Sequence, residues 1–311
     1  MTGRLADPEV LARVLARVVG RQPEVEITLA ALDAGRHIVL EGPPGTGKST
    51  LVRALTAASG RPFVLVEGHA ELTPARLVGH HDPSRVLAEG YGPGTFVEGP
   101  LVRAVTEGGI LYLEELNRVP EETLNVLITV MSEGEVHVPR AGTFVAATGF
   151  TVVAAMNPYD AVGTARISSA ISDRACRVSM AYQDAAEERQ IVIRHTGAAD
   201  SPWLAAVVEL VRRTRAHPDI RIGASVRGAI DLVLLAGSLA RIRSAEPHSA
   251  GVTLDAARAA LSGRIRLQDS SNAAPEDVVA ALWRDVFGDG GERRPPAPAD
   301  GRLGKAIPFP G

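Results

Sequence analysis

The chain has 311 residues, of which 45% are apolar, which allows two domains of ordinary size and a large buried core. Its net charge of −3 gives no global basic excess of the kind that favours nucleic acid. A single cysteine, Cys176, excludes an intramolecular disulfide, no apolar run approaches the roughly 20 residues of a transmembrane helix, and the N-terminus lacks the pattern of a signal peptide, so we expect a cytoplasmic protein.

Strand-like and helix-like segments alternate through the first half of the chain. Apolar positions at helical spacing from Pro8 to about Ala34 predict two helices ahead of the first strand. Strands are predicted at 37–41, 63–66, 110–114 and 151–156, with 177–180 as a candidate fifth, and helices at 48–58, 100–107, 121–132 and about 165–173. This alternation predicts an α/β fold with a doubly wound parallel sheet, in which a ligand binds at the carboxyl ends of the strands.

Two glycine-bearing segments interrupt the alternation, at 90–100 and at 134–145. Each places turn residues between short β-prone segments, so both are predicted to be inserted hairpins. After Tyr182 the pattern is helical only, at 184–195, 202–216, 224–243, 253–266 and 275–287. We therefore predict an α/β domain over 1–182, an all-helical domain over 183–289 and a disordered Pro/Gly-rich tail over 290–311.

Residues 42–50 read Gly-Pro-Pro-Gly-Thr-Gly-Lys-Ser-Thr, a complete G-x-x-x-x-G-K-[ST] phosphate loop between a predicted strand and a predicted helix. The backbone N–H groups of such a loop surround a pyrophosphate at the positive end of the helix. Lys48 can reach the β and γ phosphates, and the Ser49 hydroxyl can ligate Mg²⁺. The loop predicts a nucleoside triphosphate site made by Gly42, Pro43, Pro44, Gly45, Thr46, Gly47, Lys48, Ser49 and Thr50.

Two other predicted strands end in polar side chains. The strand at 110–114 ends in Glu114 and is followed by Glu115, and the strand at 151–156 is followed by Asn157. In a P-loop enzyme the first acid holds Mg²⁺, usually through water, and the second orients or deprotonates the attacking water, while an amide can contact both the γ phosphate and that water. The alternatives are a solvated acidic turn and an Asn that forms a turn before Pro158. Because the strand ends share one sheet edge, we favour a common site.

These motifs resemble those of AAA+ ATPases, and most closely those of the MoxR family. The phosphate loop resembles Walker A, Glu114 and Glu115 resemble the Walker B acids, and Asn157 falls on sensor 1. The segment 223–228, Gly-Ala-Ser-Val-Arg-Gly, resembles the family's G-A-S-x-R segment and places Arg227 at sensor 2 on a lid domain. The two insertions resemble the helix-2 insert and the pre-sensor-1 hairpin of that clade. The resemblance extends from about residue 5 to about residue 285.

The resemblance also assigns an arginine finger, with two departures from the family pattern. By register the finger is Arg174, with Arg166 and Arg177 as rivals, and such a finger acts on the nucleotide of a neighbouring subunit. The family usually has Asp at the position of Glu114, and the segment 172–177 lacks the aromatic residue that commonly follows the Asp-Arg pair. The alternatives are a surface ion pair for Arg174 and an ordinary helix-surface arginine for Arg227.

The resemblance implies a cytoplasmic, ring-forming ATPase, a hexamer by family, that uses ATP and Mg²⁺ to remodel or activate a client enzyme complex, often a metalloenzyme. Ser49 and Glu114 would hold the Mg²⁺, the latter through water. A protein with a von Willebrand factor A domain is the expected partner. The main alternative is an AAA+ nucleic-acid motor or restriction-type subunit, which the low basicity disfavours. A small-molecule P-loop kinase conflicts with the double acid, the helical lid and Arg227.

Overall fold

A computed structural model describes residues 5–158 and 169–288, and the chain divides into a first unit that ends at Ile191 and a second that begins at Val192. This division falls inside a helix, Ala185–Thr196, which the sequence pattern assigns to the second domain. The predicted tail over 290–311 lies outside the described residues. In the part of the chain that is described, no helix combines the length and the apolar character needed to cross a membrane.

The first unit alternates strands and helices. Its strands are β1 (His37–Glu41), β2 (Phe63–Glu67), β3 (Gly79–His81), β4 (Phe96–Glu98), β5 (Ile110–Glu114), β6 (Glu135–Val138), β7 (Gly142–Val145), β8 (Thr151–Met156) and β9 (Ala175–Ser179). Its helices are α1 (Pro8–Leu15), α2 (Gln22–Asp33), α3 (Lys48–Ser59), α4 (Pro74–Val78), α5 (Pro83–Glu89), α6 (Pro100–Glu107), α7 (Glu121–Glu133) and α8 (Ser169–Ser172), with α9 (Ala185–Thr196) reaching the second unit. The rest of the helix predicted at about 165–173 lies outside the described residues.

Five strands form one parallel sheet in the order β2-β5-β8-β1-β9. The predicted doubly wound parallel sheet is therefore confirmed, with the fifth strand at Ala175–Ser179. Successive residues of each strand alternate between two buried faces: Leu111 and Leu113 pack on one face, Ile110 and Tyr112 on the other. Because helices cover both faces, the central strands are continuous apolar runs. The carboxyl ends of β1, β5 and β8 meet at one edge of the sheet.

The hairpin predicted at 134–145 is confirmed, because β6 pairs antiparallel with β7 and Arg140 takes a left-handed φ of 65° in the turn. The hairpin predicted inside 90–100 is wrong. There β4 pairs instead with β3, and the helix α5 lies between the two strands. Gly79 in β3 has a φ of 127°, and a Cβ on it would lie 2.3 Å from the Val97 carbonyl oxygen, so the pairing requires glycine at this position.

The second unit is helical, with α10 (Pro202–Arg213), α11 (Val226–Arg243), α12 (Ala250–Leu261) and α13 (Pro275–Phe287). The expectation of helices alone is corrected by one antiparallel pair, β10 (Ile220–Ile222) and β11 (Arg266–Leu267). These strands are too short to show a period of two in the sequence. The pair also explains why the helix predicted at 253–266 ends at Leu261, since the residues after it turn into β11.

Candidate active site

The phosphate loop connects β1 to α3 and needs glycine for two different reasons. At Gly42 a Cβ would lie 2.1 Å from the carbonyl oxygen of Met180, so the loop passes too close to another backbone for any side chain. Gly45 and Gly47 take left-handed φ values of 75° and 87°, which glycine adopts without strain. Lys48 begins α3, so the loop ends at a helix N-terminus, the positive end of the helix dipole.

Side chains of the loop hold it in shape. The Lys48 ammonium donates to the carbonyl oxygens of Gly42 and Pro43, at 2.7 Å and 2.8 Å. The Thr46 hydroxyl donates to the same Pro43 carbonyl at 2.9 Å, and Thr46 is buried. The ammonium group thus lies across the mouth of the loop, where a phosphate chain held by backbone N–H groups would meet a positive charge.

Arg21, which the sequence did not single out, also holds the loop. Its guanidinium donates to the Thr46 carbonyl at 3.1 Å and to the Ala181 carbonyl, and it pairs with Glu24 at 2.8 Å. The Arg21 side chain is only 6% exposed, and its backbone takes a left-handed φ of 69°. A turn between α1 and α2 is visible in the sequence as Gly20-Arg21-Gln22-Pro23, but nothing in that pattern indicates a contact with a loop more than twenty residues further along the chain.

The Ser49 hydroxyl and the Glu114 carboxylate are in hydrogen-bond contact. Ser49 lies in the first turn of α3 and Glu114 ends β5, with β8 between β5 and β1 in the sheet. The longer side chain of Glu, where the family usually has Asp, still reaches the serine. The Tyr112 hydroxyl donates to Ser49 Oγ at 3.2 Å, and burial raises the pKa of this phenol above its ordinary value of 10.0. Sequence reasoning missed Tyr112 because it occupies an apolar position of a buried strand.

Glu115, the second acid, has a left-handed φ of 53° that turns the chain sharply at the end of β5. Its carboxylate pairs with Arg118, with 3.2 Å between Oε2 and Nε. The buried Asn117 amide donates to the carbonyl oxygen of Asn157 at 3.5 Å, so the segment after β5 contacts the segment after β8. The structure thereby brings Glu115 and Asn157 to the same sheet edge as the phosphate loop.

The candidate arginine fingers have different surroundings. Arg174 follows α8 with an exposed side chain that donates to the Ser132 hydroxyl and to the Ala170 carbonyl, the latter at 2.9 Å. Arg177 lies on β9 and pairs with Glu41, the last residue of β1. Arg166 lies outside the described residues.

Arg227 lies in the second unit, exposed in the first turn of α11. The segment that leads to it is fixed by two neighbours. The buried Thr214 hydroxyl accepts from the Ala224 N–H at 2.9 Å, and the Arg215 guanidinium donates to the Ala224 carbonyl at 2.8 Å. These two side chains satisfy the backbone N–H and carbonyl of Ala224, two residues before α11 begins.

The assembled site combines a cationic loop with oxygen ligands. Lys48 and the start of α3 supply positive charge for phosphates. The touching oxygens of Ser49 and Glu114 are the hard ligands that Mg²⁺ prefers, so the residues present fit this ion. Glu115 places a second carboxylate at the same edge, and a carboxylate can accept a proton from water.

The comparisons with known proteins agree with this geometry. Residues 37–175 match the AAA domain of the dynein-related subfamily. The chain is 28% identical over 251 residues to the uncharacterized protein YeaC of Bacillus subtilis, covering 72% of this chain and 75% of that protein. It is 30% identical over 208 residues to the gas vesicle ATPase GvpN2 of Halobacterium salinarum, covering 62% of this chain and 60% of that protein.

Solved structures share the fold. A Cytophaga hutchinsonii protein described as an ATPase aligns with a TM-score of 0.51 at 23% identity, covering 91% of this chain and 94% of that one. A likeness at 23% identity shows that the two proteins share a fold and no more than that. The matched sequence segment, the parallel sheet and the phosphate loop together show that this chain carries an AAA+ ATPase domain.

Proposed function

We propose that this AAA+ ATPase is a MoxR-type remodelling machine, in which ATP hydrolysis at the phosphate loop drives changes in a client enzyme complex. The observation that carries the proposal is a contact between the two insertions of the nucleotide-binding unit. Phe96 of β4 and Phe144 of β7 have ring centroids 5.6 Å apart, and His81 of β3 lies 3.3 Å from the Pro139 carbonyl in the β6–β7 turn. Two linked insertions on one ATPase unit suit a device that acts on another protein.

In the proposed reaction, the residues of this chain bind ATP, orient the attacking water and accept its proton. Lys48 and the loop N–H groups hold the phosphates of ATP. Ser49 and, through water, Glu114 would hold Mg²⁺, which would neutralise the charge of the phosphates. Glu115 takes a proton from the attacking water, and the Asn157 amide orients that water against the γ phosphate. By the family resemblance, Arg227 has the sensor 2 role.

The test of the site is a pair of variants that should fail in different ways. Lys48→Ala should lose ATP binding, whereas Glu115→Gln should bind ATP normally and lose hydrolysis, because the lysine contacts phosphate and the glutamate acts on water. Binding is measured by calorimetry and hydrolysis by phosphate release. Glu107→Gln, at an exposed acid of α6, is the control and should behave as wild type. An equal loss of ATP affinity in both site variants would contradict the role of Glu115.

The arginine finger and the ring are tested together by mixing variants. We propose that Arg174 acts on the nucleotide of the neighbouring subunit in a hexamer, formed by head-to-tail contacts that close under rotation. Arg174→Ala keeps an intact loop and Lys48→Ala keeps an intact finger, so mixed rings contain some complete sites. Mixtures should regain activity that both parents lack. Near-normal turnover of Arg174→Ala alone, or rescue by Arg177→Ala in its place, would contradict the assignment.

The proposed partner is a protein with a von Willebrand factor A domain, and the proposed client is an enzyme complex, often a metalloenzyme. A gene for such a protein beside the gene of this chain would identify the candidate partner. The purified partner should raise the ATPase rate. The alternative, a nucleic-acid motor or restriction-type subunit, predicts instead that duplex DNA raises the rate. A kinase would transfer the phosphoryl group to a metabolite rather than release phosphate. Stimulation by DNA alone would replace the remodelling proposal with the motor.

A further inference from the structure

Tyr112 is a buried tyrosine whose hydroxyl reaches the nucleotide site. Its ring lies within the hydrophobic core on one face of the sheet, stacked on Phe63 with 6.0 Å between centroids, and the residue has no exposed surface. Only its hydroxyl leaves the apolar surroundings, donating to Ser49 Oγ at 3.2 Å. Ser49 in turn contacts Glu114 through Oε1. The three side chains form a hydrogen-bonded series that ends at the proposed Mg²⁺ ligands.

The hydrogen-bonding capacity of Ser49 explains what the tyrosine does. A serine hydroxyl has one proton to donate and two lone pairs to accept or ligate with. The Glu114 carboxylate accepts the proton, and the Tyr112 hydroxyl donates to one lone pair. One lone pair of Ser49 therefore remains, and its direction is set by the other two contacts.

We propose that Tyr112 is a positioning residue, which orients the Ser49 hydroxyl so that its remaining lone pair faces the Mg²⁺ of the bound nucleotide. The proposal rests on the proposed ATP and Mg²⁺ site. A phenylalanine at this position fills the same space but leaves Ser49 with two lone pairs and one fewer constraint on its orientation. In this account Tyr112 touches neither nucleotide nor metal, and it acts through the Ser49 hydroxyl and the Glu114 carboxylate beside it.

The direct test is Tyr112→Phe in the full chain, read by equilibrium binding of a fluorescent ATP analogue at increasing Mg²⁺ concentration. The half-saturating Mg²⁺ concentration should rise about five-fold, the factor that one ordinary hydrogen bond supplies. Binding of the analogue without Mg²⁺ should stay at the wild-type value, because the Tyr112 hydroxyl contacts the hydroxyl of Ser49 and not the Lys48 ammonium that meets the phosphates. Tyr91→Phe, the same change at a tyrosine that is 58% exposed, is the control and should leave the Mg²⁺ dependence unchanged.

A second pair of variants tests whether Tyr112 acts through Ser49. In a Ser49→Ala background, Tyr112→Phe should change the Mg²⁺ dependence less than it does in wild type, since the hydroxyl that it orients is gone. Equal effects in both backgrounds would overturn the proposal, as would an unchanged Mg²⁺ dependence or an equal loss of binding with and without Mg²⁺. If wild type itself gains no affinity from Mg²⁺, the proposed nucleotide site fails and the role of Tyr112 falls with it. If wild type gains affinity from Mg²⁺ and Tyr112→Phe shows the same Mg²⁺ dependence, the nucleotide site stands and only the role of Tyr112 is overturned.

Discussion

Replacing Arg21 with alanine should destabilise the nucleotide-binding unit strongly, although no sequence motif includes this residue. The change removes a guanidinium that is 6% exposed and leaves Glu24, whose side chain is 18% exposed, without its partner at 2.8 Å. It also leaves the carbonyl of Thr46 without its 3.1 Å hydrogen bond. Breaking a buried ion pair by removing one partner costs about 3–5 kcal/mol, and the residual exposure of Glu24 places this case near 3 kcal/mol.

The assay is thermal unfolding of the full chain followed by circular dichroism. A unit of this size loses about 2–4 °C of Tm for each kcal/mol, so Arg21→Ala should lower the first transition by ~6–12 °C. The control is Arg85→Ala, because Arg85 forms an exposed pair with Glu89 at 3.8 Å on α5 and its loss should cost less than about 1 kcal/mol. A shift for Arg21→Ala no larger than that of the control would show that the Arg21 contacts do not stabilise the unit.

Two further substitutions test the close approach at the loop and the half-buried histidine, His37. Gly42→Ala should abolish ATP binding or soluble expression, because its Cβ would lie 2.1 Å from the Met180 carbonyl oxygen, whereas Gly92→Ala, with no atom within 4 Å, should match wild type in both assays. Burial lowers the pKa of His37, which accepts from the Val152 N–H at 3.0 Å, so the unfolded chain takes up this proton first as the pH falls below about 6.5. In urea unfolding, the stability advantage of wild type over His37→Asn should be full at pH 7.5 and shrink below pH ~6.5, and an advantage that grows on acidification would contradict the direction of the pKa shift.

The parts of the fold that could be predicted are those in which one segment carries its own signal. β1, β5 and β8 were predicted residue for residue because buried parallel strands are apolar runs bounded by turn or charged residues. The segment 90–100 failed because the partner of β4 is not inside it. The partner, β3, is a Gly-His-His segment without apolar period, separated from β4 by a helix, so the pairing is a tertiary choice that local pattern does not encode.

The candidate site divides in the same way. Lys48, Ser49 and Glu114 have fixed spacing from a strand and a helix, and the contact between Ser49 and Glu114 fits the expected Mg²⁺ ligands. Tyr112 and Arg21 act through contacts between segments distant in sequence, 63 and 25 residues apart respectively, and their residue types are ordinary for a strand and for a turn. Only the packed structure identifies them. The roles of Arg174 and Arg227 stay predictions, since they depend on a neighbouring subunit and on the placement of the second unit.

If this chain hydrolyses ATP at a site completed by a neighbouring subunit, phosphate release per chain should depend on the protein concentration. With Mg²⁺ and saturating ATP, activity per chain should be low in dilute samples and rise to a plateau as the ring forms, in step with the mass from light scattering. Glu115→Gln supplies the blank. Activity no higher than this blank, or activity per chain that is the same at every concentration, would contradict the account.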